Sequence, residues 1–246
     1  MNLKTIQACA FKSLLEVLKD IINDVNVCFD SSGVKIIAFD VARVTLVHMF
    51  MAAENFEEYT CNKELFVGIN VSNMFKLLKS ITNNDVLSME VNDECLNIIL
   101  TNDSKKSTSK FSIKLLDLNE DILDIPELDM PFSTQVPSLD FQKIVRDMIN
   151  IGNDVTITRT KNKIEFDCKG DFASKTTTME QTEEIGDDIQ ISGIFSLKYL
   201  SMFTKATILC PTVQILQNDD ESPVIFKYTI ANLGELLFYL APTAQI

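Results

Sequence analysis

The spacing of apolar residues changes period along the chain, and the order of those changes is the tightest constraint on its fold. Most of the 246 residues alternate apolar with polar, as strands with one buried face do. The stretches 25–30, 45–51 and 155–158 show this alternation with β-branched and aromatic enrichment. Turn-forming clusters separate the strands, among them Ser31-Ser32-Gly33, Thr82-Asn83-Asn84-Asp85 and Asn218-Asp219-Asp220-Glu221-Ser222-Pro223. Four segments depart from alternation and repeat their apolar residues every three or four positions, the spacing of a helix buried along one face. They run roughly 8–21, 71–80, 140–149 and 195–206. Phe11, Leu14, Leu15, Leu18, Ile21 and Ile22 mark the first, Val71, Met74 and Leu78 the second, and Phe141, Ile144, Val145 and Met148 the third. Ser72 and Ser196 are the expected N-caps of the second and fourth.

The order of elements occurs twice. Phe11-Lys12 opens the first half, and Phe141 with Lys143 and Arg146 opens the second about 130 residues later. Gly68-Ile69-Asn70-Val71-Ser72 likewise matches Gly193-Ile194-Phe195-Ser196-Leu197 with a one-residue offset. We therefore expect an α+β chain of two similar domains, 1–114 and 138–246, each with two helices on antiparallel sheets. The connector, 115–137, holds three of the six prolines and the acids Asp117, Glu120, Asp121, Asp124, Glu127 and Asp129.

A net charge of −13 argues against a nucleic-acid partner only if charge is read as a sum. The four helical segments hold eight basic residues, Lys12, Lys19, Lys76, Lys79, Lys143, Arg146, Lys198 and Lys205. Their acids are four: Glu16, Asp20, Asp140 and Asp147. That leaves 14 of the 22 basic and 31 of the 35 acidic residues elsewhere, so the helices are net positive and the remainder strongly negative. At about 100° per residue, Lys12 and Lys19 lie about 20° apart, as do Lys198 and Lys205. Lys76 and Lys79 lie about 60° apart, as do Lys143 and Arg146. One lysine stripe is an ordinary solvated face. Four in an acidic chain suit phosphate contact without base reading.

Other functions lack their residues. There is no CxxC and only one histidine, His48, so no zinc site, metal centre or cofactor is expected, and the six cysteines read as reduced thiols. Neither a phosphate-binding glycine loop nor a nucleophile elbow is present, and the carboxylates fall in loops without a paired pattern, so no enzyme is expected. No apolar run approaches the roughly 18 residues of a membrane span. The segment Met1-Asn2-Leu3-Lys4-Thr5 has no signal-peptide character, which predicts a chain retained in the cell and not at a membrane.

Several stretches together resemble the proliferating cell nuclear antigen family, the sliding clamps of eukaryotes and their viruses, over essentially the full length. They include Leu14-Leu15-Glu16-Val17-Leu18-Lys19-Asp20-Ile21-Ile22-Asn23, Ser31-Ser32-Gly33-Val34, Leu116-Asp117-Leu118, Ile125-Pro126-Glu127, Tyr199-Leu200 with Phe203-Thr204-Lys205-Ala206, and Tyr239-Leu240-Ala241-Pro242. The resemblance implies a homotrimeric closed ring around double-stranded DNA, with helices inside and sheets outside. Its DNA-facing positions fall on the same eight basic residues. Ring closure would join the edge strand near 108–116 of one copy to that near 175–181 of the next. The resemblance also implies a DNA polymerase processivity factor that needs a separate clamp loader and works in the nucleus or in a viral replication compartment. Replication and repair partners would carry Gln-x-x-aliphatic-x-x-aromatic-aromatic peptides. Their pocket would be formed by Phe39, Val44, Leu123, Ile125, Pro223, Leu240, Ala241 and Pro242.

The chain departs from the family at Phe39, Arg43, Met130 and Ser13 and in its tail, Ala244-Gln245-Ile246. Lys161 matches a lysine modified in relatives and equally reads as an ordinary loop lysine. Two other classes stay open at this point. An acidic interaction module in a heterotrimer would not self-trimerise, and a β-rich enzyme would need a site with no recognisable constellation.

Overall fold

A computed structural model describes residues 1–92, 94–118, 130, 132–181 and 190–243. The chain divides into two compact units. The first comprises Met1–Val41, Val47–Ile125 and Thr229–Leu236, and the second Ala42–Leu46, Pro126–Tyr228 and Leu237–Ile246. Mixed helices and antiparallel sheets make the fold α+β.

Unit 1 carries β1 (Asn2–Thr5), α1 (Ala8–Leu18), β2 (Asp24–Asp30), β3 (Gly33–Phe39), most of β4 (Thr45–Ala52), β5 (Glu58–Thr60), β6 (Leu65–Asn70), α2 (Val71–Leu78), β7 (Val86–Val91), β8 (Cys95–Asn102) and β9 (Ser107–Lys114). One sheet runs β5-β1-β7-β8-β9, and a second run of strands is ordered β4-β3-β2-β6. The alternation read from sequence appears directly in β2, where every second residue from Val25 is buried. At the β2–β3 turn, Asp30 Oδ1 accepts from Ser32 N, Ser32 Oγ and Gly33 N. Gly33 has φ +147°, and a Cβ there would strike the Met51 carbonyl, so only glycine makes this turn. Phe11, Leu14, Leu15 and Leu18 of α1 point into a core shared with Val27, Ile36, Met49, Met74 and Leu96.

Unit 2 carries β10 (Phe132–Pro137), α3 (Ser138–Met148), β11 (Asp154–Thr160), β12 (Lys163–Lys169), β13 (Ser174–Glu180), β14 (Ile191–Ser196), α4 (Leu197–Phe203), β15 (Thr212–Gln217) and most of β16 (Val224–Ile230) and β17 (Gly234–Leu240). Its strand orders are β13-β12-β11-β14 and β10-β15-β16-β17. A 3-10 turn, Thr204–Ile208, continues α4. Aromatic rings fill this core: Phe203 stacks on Phe238 with centroids 4.5 Å apart, and Phe141 on Phe226 at 5.2 Å.

The internal repeat is a register match. Asp24 pairs with Asn70 in unit 1, and Asp154 with Ser196 in unit 2. One step on, Val71 N donates to Asn23 O at 2.8 Å and Leu197 N to Asn153 O at 2.8 Å. Asn70 and Ser196 are thus equivalent, which places Gly68 opposite Ile194 and explains the one-residue offset between the glycines. α1 and α3 match at an offset of 130, and both span 11 residues.

One capping expectation is corrected. Ser72 lies inside α2, and Asn70 is its N-cap, with Oδ1 accepting from Asn73 N at 2.9 Å. Asn70 Nδ2 also donates to Asp24 Oδ1 at 2.6 Å, which orients the cap across the paired strand. The asparagine two residues upstream won over the serine because it ends a strand and so has the extended backbone a cap needs. Ser196 does occupy the cap position of α4, but its side chain makes no capping bond. Asn70→Ala should lower stability by about 1 kcal/mol in urea unfolding, while Ser72→Ala should stay within about 0.5 kcal/mol of the parent.

Candidate nucleic-acid interface

In unit 1 the apolar stripes of α1 and α2 are buried and the two helices pack together. Their cations sit away from that core, in two kinds of environment. Lys76 and Lys79 are exposed. Lys76 Nζ makes one long bond to Asn73 Oδ1 at 3.3 Å. Lys12 and Lys19 are half-buried and engaged. Lys12 Nζ donates to Ile81 O at 2.7 Å, tying α1 to the chain just beyond α2. Lys19 Nζ lies 3.4 Å from Asp20 Oδ2 and 5.1 Å from the Phe75 ring centroid. Lys19 and Lys79 cap the ends of α1 and α2, where positive charge also meets the helix dipole.

In unit 2 α3 packs against α4 and the 3-10 turn. Phe141, Ile144, Val145 and Met148 are buried, while Lys143 and Arg146 are exposed. Lys198 on α4 and Lys205 on the 3-10 turn are also exposed. Lys198 Nζ lies 5.6 Å from the Tyr199 ring centroid. The eight sequence-selected cations therefore fall four to a unit, each set on one packed helix pair.

The repeat register separates fold from charge. Gln142 stands on α3 where Lys12 stands on α1, and its Nε2 donates to Thr204 O at 3.2 Å. Both side chains thus span from the first helix of a unit to the end of the second. Lys79 and Lys205 also match. The remaining five cations stand at positions without a basic counterpart: Lys19 opposite Ile149, Lys143 opposite Ser13, Arg146 opposite Glu16, Lys76 opposite Met202 and Lys198 opposite Ser72.

Asp147, on α3 directly after Arg146, is held by Lys175 of β13 at 2.7 Å. The hydrogen bond from Lys175, helped by the charges of Arg146 and Lys143, keeps its carboxyl below the usual range. Lys175 lies outside every helix, so no helical periodicity could have selected it.

The pocket residues distribute as follows. Phe39 is exposed at the end of β3 in unit 1. In unit 2, Ala241 N donates to Val44 O at 3.2 Å, which joins the end of β17 to the segment before β4. Leu240 is buried, Ala241 exposed, and Pro242 and Pro223 half-buried. Leu123 and Ile125 lie outside the described residues.

No cysteine is in a disulfide. Among the described residues, the ligand atoms of Cys28, Asp30 and Glu64 come within 4.8 Å of one another. This group already holds a cation, because Lys35 Nζ lies 2.7 Å from Asp30 Oδ2. Burial, with Glu64 and Asp30 adding to it, pushes the Cys28 thiol up to about 11, so it stays protonated. No helix among the described residues is long and apolar enough to cross a membrane.

The two kinds of lysine separate by stability. Lys12→Ala should cost about 1 kcal/mol in thermal or urea unfolding, because it leaves the Ile81 carbonyl without its donor. Lys76→Ala should change stability by less than about 0.5 kcal/mol.

Comparison with known families agrees with this architecture. The family model for the proliferating cell nuclear antigen N-terminal domain matches residues 1–123. The model for the proliferating cell nuclear antigen C-terminal domain matches residues 124–243. With both halves matched in order along the chain, the protein belongs to the proliferating cell nuclear antigen family, the DNA sliding clamps.

Proposed function

We propose that three copies of this chain close into a ring around duplex DNA and act as a polymerase processivity factor and docking platform. The observation that carries this reading is the placement of charge. A chain of net charge −13 sets exposed cations on a packed helix pair in each unit, opposite the faces that bury the core. Such a surface holds phosphates and reads no bases, while the acidic remainder repels DNA. Both ends of the ring contact are open strands: β9 ends one sheet and β13 another, β9 exposed along most of its length and β13 at alternate side chains. Ring closure pairs β9 of one copy with β13 of the next. Domains 1–114 and 138–246 are joined by the connector 115–137. Leu123 and Ile125 of that connector, with Phe39, Val44, Pro223, Leu240, Ala241 and Pro242, take the aliphatic and aromatic side chains of partner peptides. Those partners are the polymerase, the clamp loader and repair proteins, in the nucleus or a viral replication compartment.

Sedimentation should report three copies per particle. Replacing Lys76, Lys79, Lys143 and Lys198 with alanine should leave that particle and its fold intact. It should weaken low-salt binding to duplex DNA by at least about tenfold, flatten its salt dependence and lower polymerase processivity. Replacing Lys63, Lys105, Lys163 and Lys169 removes the same charge from outside the helices. If this second set impairs binding equally, the helices are not the DNA face.

For the pocket, Leu123→Ala with Ile125→Ala should weaken a consensus clamp-binding peptide by about 2 kcal/mol in calorimetry, with the trimer unchanged.

A further inference from the structure

α3 carries a carboxylate where a phosphate-binding face tolerates one least. Asp147 follows Arg146 directly and lies one turn beyond Lys143. Both cations act on its carboxyl. A lysine and an aspartate four residues apart on a helix pair with each other. A lysine so paired presents less positive field to a phosphate. In this chain the aspartate is taken by a different partner. Lys175, near the start of β13, places Nζ 2.7 Å from Asp147 Oδ2, with the two side chains 31% and 37% exposed. Lys143, Asp147 and Lys175 line one shallow pocket with Asp140. Unit 1 has no such arrangement, since the residue matching Asp147 is the fully buried Val17.

We propose that Lys175 is a positioning residue of the DNA-facing surface. By engaging Asp147 from the edge strand, it keeps that carboxylate off Lys143 and leaves Lys143 and Arg146 available to phosphates. Lys175 makes no phosphate contact itself, because its ammonium is committed to Asp147. The inference rests on the sliding-clamp reading above.

The test uses the full-length chain and a short fluorescent duplex at low salt, read by anisotropy, with sedimentation of every variant. Lys175→Ala should weaken binding about threefold, the scale of one masked phosphate contact. Asp147→Asn should bind at least as well as the parent. The double variant Lys175→Ala with Asp147→Asn should recover parental affinity, because the carboxylate that Lys175 restrains is gone. Lys169→Ala, which removes an equal charge from the neighbouring strand, should have a smaller effect than Lys175→Ala. The proposal is overturned if Asp147→Asn fails to rescue, if Lys169→Ala weakens binding as much, or if Lys175→Ala no longer sediments as the parent does. Lys143→Ala with Arg146→Ala separates the two levels. If that pair weakens binding and Lys175→Ala does not, the positioning role fails and the clamp reading stands. If that pair has no effect, the clamp reading itself fails.

Discussion

Each helix of this protein is held by burial of one apolar stripe against its unit's sheets, and the direction of every other helical side chain follows from it. Phe11, Leu14, Leu15 and Leu18 seat α1, and Phe141, Ile144, Val145 and Met148 seat α3. Full burial of each such side chain contributes about 1.5–3 kcal/mol, far more than any surface charge pair. The helix therefore cannot rotate to satisfy its lysines. They must point where the buried stripe leaves them, and a core made of phenylalanine rings at 4.5–5.8 Å fixes that direction firmly in unit 2.

Charge is then distributed against the overall balance of the chain. An acidic protein repels nucleic acid, so an attractive face has to be local and unmasked. Among the described residues, the cations meet that demand to different degrees. Lys12 is spent on the Ile81 carbonyl and Lys19 on Asp20 and the Phe75 ring, while Lys76, Lys79, Lys143, Arg146 and Lys198 stay exposed. The two units repeat a backbone more faithfully than they repeat a charge pattern. Hydrogen-bond register tolerates many surface residues, whereas a phosphate contact needs a cation only at a given place.

The mirrored roles of Lys12 and Gln142 make the same point from the structural side. A charged and a neutral side chain occupy equivalent positions and both donate to a carbonyl near the end of the following helix. What is kept is the donor, because an unmet carbonyl beside a packed helix pair is costly. Charge at that position is secondary.

By itself the sequence determined the four helices, the strand alternation, the repeat and the net positive balance of the helices, because each depends on neighbours within one or two turns or on a period of two. It also carried the family, through the order of many short stretches. It misplaced the cap of α2, since the choice between Asn70 and Ser72 turns on where β6 ends and on Asp24, a residue 46 positions away. Only the tertiary structure decided that Lys12 is spent and that Asp147 is engaged from outside its helix, because the groups that engage them come from distant segments. Ile81 reaches Lys12 across 69 residues, and Lys175 reaches Asp147 across 28. A periodicity counted along one helix contains no information about a carbonyl or an ammonium delivered to it by another.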